Sequence, residues 1–138
     1  MKLSSILSEV NKLLRNTNIQ EPLKESKLLI CHVLCARLEI FLLDLDRIIT
    51  PMQKKKIFEI AYRRKNGEPF AYLTNSVSFF KDIFYINKHV LIPRPETEIL
   101  VEVVLKNITN KNISLNILDI CLGSGVILGS LLKQLPNS

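Results

Sequence analysis

The sequence predicts an α/β fold: an N-terminal α-helical bundle, a β-hairpin linker, and then the first strand, turn and helix of a doubly wound domain. Three observations predict it. Apolar residues recur at helical spacing through the first half. A stretch rich in β-branched and aromatic residues follows Gly67. Near the end stands NILDICLGSG, residues 116–125, an apolar run with an acid and a glycine turn ahead of another helical stretch.

Leu3, Ile6, Leu7, Val10, Leu13 and Leu14 follow helical spacing, with Ser4 or Ser5 available as a cap. Pro22 suits the first turn of a second helix, to which Leu23, Leu28, Leu29, Ile30, Val33 and Leu34 give a broad apolar side. The run LEIFLLDLD, 38–46, predicts a third, short helix. Thr50 and Pro51 are a cap and a first-turn proline, and the fourth helix they open ends near Gly67. Four helices with short joints make a small bundle, assigned to residues 1–66.

Residues 67–92 read as the β-hairpin linker, with Lys81 and Asp82 as the turn between Phe79-Phe80 and the run 83–86. Residues 93–138 are assigned to the doubly wound domain. Pro93 and Pro95 bracket Arg94, and Glu96, Thr97 and Glu98 open a helix through Val104, with acids at the positive end of its dipole. A polar loop, 106–114, then leads to 115–120, an almost wholly apolar run expected to be a parallel strand buried on both faces. Residues 126–135 predict the helix after the glycine turn.

The net charge of +6 is uneven: residues 1–66 carry 13 Lys/Arg against 7 Asp/Glu, whereas residues 67–138 carry 6 of each. Lys54, Lys55, Lys56, Arg63, Arg64 and Lys65 all lie on the fourth helix. A solvated face is the ordinary reading of such a run, and an acidic partner the sharper one. No aromatic interleaving supports direct nucleic-acid binding. Cys31, Cys35 and Cys121 make an odd set without a C-x-x-C pair, which argues against a disulfide framework. Cys31 and Cys35, spaced i, i+4, read as small apolar core residues, and no metal site is expected. No apolar run reaches membrane-spanning length and the N-terminus lacks a signal-peptide core, so a cytoplasmic protein is expected.

Gly123 and Gly125 permit a tight turn and a close approach of the backbone to a ligand, and the following helix points its N-terminus at whatever the turn holds. With Gly129 the spacing is one residue too wide for a nicotinamide fingerprint, and no Gly-Lys-Ser/Thr phosphate loop exists. S-adenosylmethionine is the remaining common user of such a loop.

Together GEPFAYL at 67–73, Phe79, LIPRPETE at 91–98 and ILD followed by GSG at 117–125 closely resemble the release factor glutamine methyltransferases. The resemblance implies a helical N-terminal domain that helps dock a peptide chain release factor. It also implies a Rossmann-like domain that binds S-adenosylmethionine and methylates the glutamine of the factor's Gly-Gly-Gln motif. Carried over by position, Cys121, Leu122, Gly123, Ser124 and Gly125 would form the cofactor loop and Asp119 would end the first strand and hold that loop. Arg94 and Thr97 would lie beside the cofactor, with an Arg94–Glu96 salt bridge the structural alternative.

The departures are Cys121 and Leu122 where the family has Gly and Thr, Asn75 where it has Gly, and Ser78 where it has Glu. Cys121 strains the backbone if its position needs a positive φ; Asn75 and Ser78 read as relaxed positions. The family's Asn-Pro-Pro-Tyr motif, which accepts the substrate glutamine, is nowhere in the sequence, so no catalytic residue is assigned and the chain reads as interrupted within its catalytic domain and inactive alone. Two rival readings stand: a non-enzymatic module that binds a release factor or the ribosome, and a methyltransferase of this fold acting on a ribosomal protein or nucleic acid.

Overall fold

The computed structural model describes residues 1–110 and 114–137. Two compact units divide the chain, Met1–Thr74 and Asn75–Ser138. The first unit is helical: α1 (Leu3–Arg15), α2 (Pro22–Leu34), α3 (Leu38–Leu43), α4 (Pro51–Lys65) and α5 (Phe70–Thr74). Its core gathers Leu3, Ile6, Val10 and Leu14 of α1, Leu29, Ile30 and Cys31 of α2, Phe41, Ile49, and Ile57 and Ala61 of α4.

Local signals set α4 closely. Thr50 Oγ1 accepts from the Gln53 amide at 3.2 Å while Gln53 Oε1 accepts from the Thr50 amide at 3.1 Å, a reciprocal capping box, and Pro51 follows. The expected serine cap of α1 is not used. The N-cap position is Lys2, without a side-chain cap; the amides of Leu3 and Ser4 donate instead to the carbonyls of Arg47 and Leu45, both at 2.9 Å. A distant loop supplies acceptors that a local hydroxyl would otherwise provide.

The β texture expected from Gly67 onward begins later than the sequence suggests. Residues 70–74 are α5, whose Leu73 is 5% exposed within the helical core. Pro69 sets the first turn, its carbonyl accepting from the amides of Tyr72 and Leu73, and the burial of Leu73 outweighs the strand preference of its aromatic neighbours. Cys35 also departs from expectation. It is the left-handed C-cap of α2 at φ 50°, with its amide bonded to the α2 carbonyls, and it is exposed, so it shares no helix face with buried Cys31.

The basic run of α4 is partly consumed by ion pairs. Arg64 grips Glu25 of α2 through two hydrogen bonds, Nε at 2.6 Å and Nη2 at 3.2 Å, in a half-buried setting. Arg63 holds Glu68 in the same forked manner at 2.7 and 2.6 Å. Lys54 lies over the Phe58 ring, 5.7 Å from its centre.

In the second unit β1 (Ser76–Phe79) and β2 (Asp82–Tyr85) pair antiparallel, Phe79 opposite Asp82 and Ser76 opposite Tyr85. The turn is therefore Phe80 and Lys81, one residue earlier than expected, with Phe80 at φ 56°. Asn75 proves structural, not relaxed: it adopts φ 51°, which asparagine tolerates, and its amide donates to the Ile86 carbonyl at 3.2 Å. A 3-10 turn at Pro95–Thr97 runs into α6 (Glu98–Asn107), and α7 (Val126–Gln134) packs against α6. Phe79, Val101, Val126, Leu131 and Leu135 form the core. The expected polar loop at 106–114 starts late, because Lys106 and Asn107 still belong to α6, and residues 111–113 lie outside the described residues.

The largest correction concerns 115–120. This run alternates in burial as a strand would but belongs to no sheet, and among the described residues the only sheet is the β1–β2 pair. Strand conformation is stable only when its amides and carbonyls find a neighbouring strand, and no described segment provides one. The opening of a parallel sheet is therefore not present as a sheet.

Candidate functional site

Side chains of 115–120 alternate as they would in a half-covered strand. Leu115 and Ile117 pack on the core of the second unit, while Leu118 is 83% and Ile120 77% exposed. Asp119 falls on the inward row at its end. Its Oδ2 is buried and has no hydrogen-bond partner. An unpartnered buried carboxylate oxygen is costly, so this atom is an acceptor waiting for a donor.

The turn that follows has three left-handed residues in quick succession: Cys121 at φ 64°, Gly123 at φ 57° and Gly125 at φ 73°. The two glycines reach this region freely; Cys121 does so only with backbone strain, which meets the condition set by the sequence comparison of that position. The Gly125 amide donates to the Leu122 carbonyl at 2.9 Å, closing the turn, and Gly125 is the N-cap of α7. No side chain caps α7, which leaves its first-turn amides directed toward the loop.

The structure thus gathers Asp119, Cys121, Leu122, Gly123, Ser124 and Gly125 at the N-terminal end of one helix. Arg94 and Thr97 lie at the entrance to the neighbouring α6, where the Thr97 amide donates to the Arg94 carbonyl at 3.0 Å. Arg94 is exposed, and among the described residues no ion pair joins it to Glu96, so the structural salt bridge is not formed. Sequence reasoning missed the role of Gly129. A Cβ there would meet Phe84 Cε1 at 2.8 Å, so the glycine lets α7 lie against the hairpin. The signal was available as a glycine inside a helical run where alanine would be the better helix former.

These residues fit a ligand that brings hydrogen-bond donors or positive charge to Asp119 and tolerates close contact with a glycine backbone. A phosphate would suit the α7 amides but not the neighbouring carboxylate. Among the described residues no group of His, Cys, Asp and Glu stands ready to hold a metal.

The PrmC N-terminal domain model matches residues 5–74, more than half of the chain and nearly the whole helical unit. Over 92% of its length the chain is also 39% identical to a protein of Clostridium botulinum named release factor glutamine methyltransferase. The chain belongs to the release factor glutamine methyltransferase family. A Leptospira interrogans protein of the same name is 32% identical over 89% of the chain. The bifunctional methyltransferase of Rickettsia conorii is 33% identical over 99%. The chain spans 44%, 43% and 30% of these relatives' own lengths. No helix among the described residues is long and apolar enough to cross a membrane.

Proposed function

We propose that the chain is the N-terminal part of a cytoplasmic protein-(glutamine-N5) methyltransferase that modifies the Gly-Gly-Gln motif of peptide chain release factors. In this reading residues 1–66 serve substrate docking, 67–92 link, and 93–138 begin a Rossmann-like cofactor domain. The observation that carries it is the loop 119–125: a buried acceptor on Asp119, two left-handed glycines, and an uncapped helix N-terminus converging at one turn.

S-adenosylmethionine, when bound, supplies an electrophilic methyl group on a sulfonium. The chain's own residues would bind and orient it. Asp119 Oδ2 would accept a hydrogen bond from a donor, and Gly123 and Gly125 would let the backbone come close. Arg94 and Thr97 would line the approach from α6. A glutamine amide nitrogen is a weak nucleophile, so positioning it in line supplies most of the acceleration. That task belongs to the Asn-Pro-Pro-Tyr motif, which these residues lack. The 138 residues alone are therefore expected to transfer no methyl group.

The test appends to this chain the remainder of the Clostridium botulinum relative beyond the matched region. The chimera is incubated with labelled S-adenosylmethionine and purified release factor. Methyl incorporation at the Gly-Gly-Gln glutamine by mass spectrometry is the expected result. A folded chimera that binds S-adenosylmethionine but labels only ribosomal protein or RNA would overturn the substrate assignment.

A further inference from the structure

Of the chain's asparagines, Asn66 alone is followed by glycine. Every other one precedes a lysine, threonine, isoleucine or serine, whose side chain shields the peptide nitrogen between the two residues. Glycine carries no Cβ and leaves that nitrogen open to close approach.

The structure puts this pair on the surface. Asn66 and Gly67 are both exposed, and a Cβ on Gly67 would meet nothing within 4 Å. Asn66 is the C-cap of α4 at φ −80° and ψ 11°, and Gly67 follows at φ 95°. Two backbone bonds close the turn. The Gly67 amide donates to the Arg64 carbonyl at 3.0 Å and the Glu68 amide to the Arg63 carbonyl at 3.1 Å, the paired bonds of a glycine-ended helix. The Arg63–Glu68 fork spans the same turn at 2.7 and 2.6 Å.

We propose that Asn66 is a site of spontaneous covalent modification, converting to aspartate and isoaspartate, and that the turn ending α4 sets its rate. The Gly67 nitrogen gives up its proton to water or hydroxide and attacks Asn66 Cγ. The new C–N bond closes a five-membered imide, and the bond from Cγ to its own nitrogen breaks as ammonia leaves. Water then adds to either imide carbonyl. Cleavage at Cγ yields aspartate, and cleavage at the main-chain carbonyl yields isoaspartate. Nothing is oxidised or reduced, and water is the only co-reactant.

The turn restrains this chemistry in two ways. Ring closure needs Cβ and the Gly67 nitrogen to eclipse about the Cα–C bond, and at ψ 11° they do not. The proton on that nitrogen is also engaged by the Arg64 carbonyl. Reaction therefore draws on chains in which the end of α4 has opened, a local event that costs less than global unfolding. The products hinder reclosure. A carboxylate at residue 66 stands at the negative end of the α4 dipole. Isoaspartate also adds a carbon to the main chain, so the Gly67 and Glu68 amides no longer both reach their carbonyls. Because Leu73 of α5 joins the helical core just beyond this turn, the modification loosens the junction of α4 and α5.

The experiment holds the full 138-residue chain at pH 8 in native buffer and in urea, and follows aspartate and isoaspartate at each asparagine by peptide mapping and mass spectrometry. Asn66 is expected to convert first in both, and about five- to thirtyfold more slowly in native buffer. Arg63→Ala and Glu68→Gln break the fork from opposite ends. Each is expected to speed native conversion about two- to fivefold and to leave the urea rate unchanged, whereas Lys54→Ala, at the other end of α4, changes neither. Gly67→Ala separates the chemistry from the turn. A side chain at φ 95° strains and opens the turn, yet it shields the nitrogen, so conversion in urea is expected to fall about tenfold or more. Equal rates in native buffer and urea would overturn control by the turn, as would fork variants no faster than the parent. Conversion of Asn16 or Asn18, which are also exposed, as fast as Asn66 would overturn the site, and so would a native chain in which Asn66 stays intact.

Discussion

Cys121 offers the sharpest test of the loop's geometry. The residue sits at φ 64° with an exposed side chain, so replacing it by glycine removes strain and forfeits no buried contact. A left-handed conformation costs a non-glycine residue about 1–2 kcal/mol. Glycine returns part of this through the larger entropy of its unfolded chain, about 0.5–1 kcal/mol. Cys121→Gly is therefore expected to stabilise the protein by about 0.5–1 kcal/mol. For a unit of this size that corresponds to a rise of roughly 2–8 °C in Tm. Asn75→Gly is the matched control, because Asn75 has φ 51° but tolerates it and donates to the Ile86 carbonyl. There the lost hydrogen bond and the added entropy both act against glycine, and a destabilisation of about 1 kcal/mol is expected. Denaturant melts of the two variants beside the parent decide the matter. If Cys121→Gly is no more stable than the parent, or if both glycines shift stability in the same direction, the strain assigned to Cys121 is wrong.

Other variants probe the packing around this loop and the helical unit. Leu118 and Ile120 are exposed on a run without a partner strand among the described residues, so the full chain should self-associate by light scattering, and Leu118→Lys/Ile120→Lys, which keeps the α6–α7 core, should not. A monomeric parent chain, or equal association of parent and variant, would refute this. Gly129→Ala should destabilise by about 1–3 kcal/mol through the 2.8 Å contact with Phe84, against the gain of about 1 kcal/mol usual for that change in a helix; calorimetric melting gives the sign. Arg64→Ala should cost about 1–3 kcal/mol, because Glu25 is left half-buried without its fork, whereas Arg63→Ala at a more exposed pair should cost less than about 1 kcal/mol by urea titration. Thiol labelling at pH 8 should modify Cys35 and Cys121 rapidly and Cys31 last, because Cys31 is buried, and burial, reinforced by Glu39, pushes its thiol pKa up.

What the sequence by itself determined was local chemistry. Thr50, Pro51 and Gln53 specify the start of α4 through bonds that close within one turn, and Pro22 does the same for α2. The glycine turn before α7 was legible for the same reason, since positive φ is a property of single residues. The motifs at 67–73 and 91–98 carried the family, because they are specific in composition and order. Only the tertiary structure decided the rest. The amides at the head of α1 found carbonyls of Leu45 and Arg47, more than forty residues away, which no local rule could name. Residues 70–74 became helix because Leu73 reaches the helical core, a gain larger than the strand preference of the residues around it. Residues 115–120 kept the alternating burial of a strand but no ladder, because a strand, unlike a helix, draws its hydrogen bonds from neighbours and not from itself.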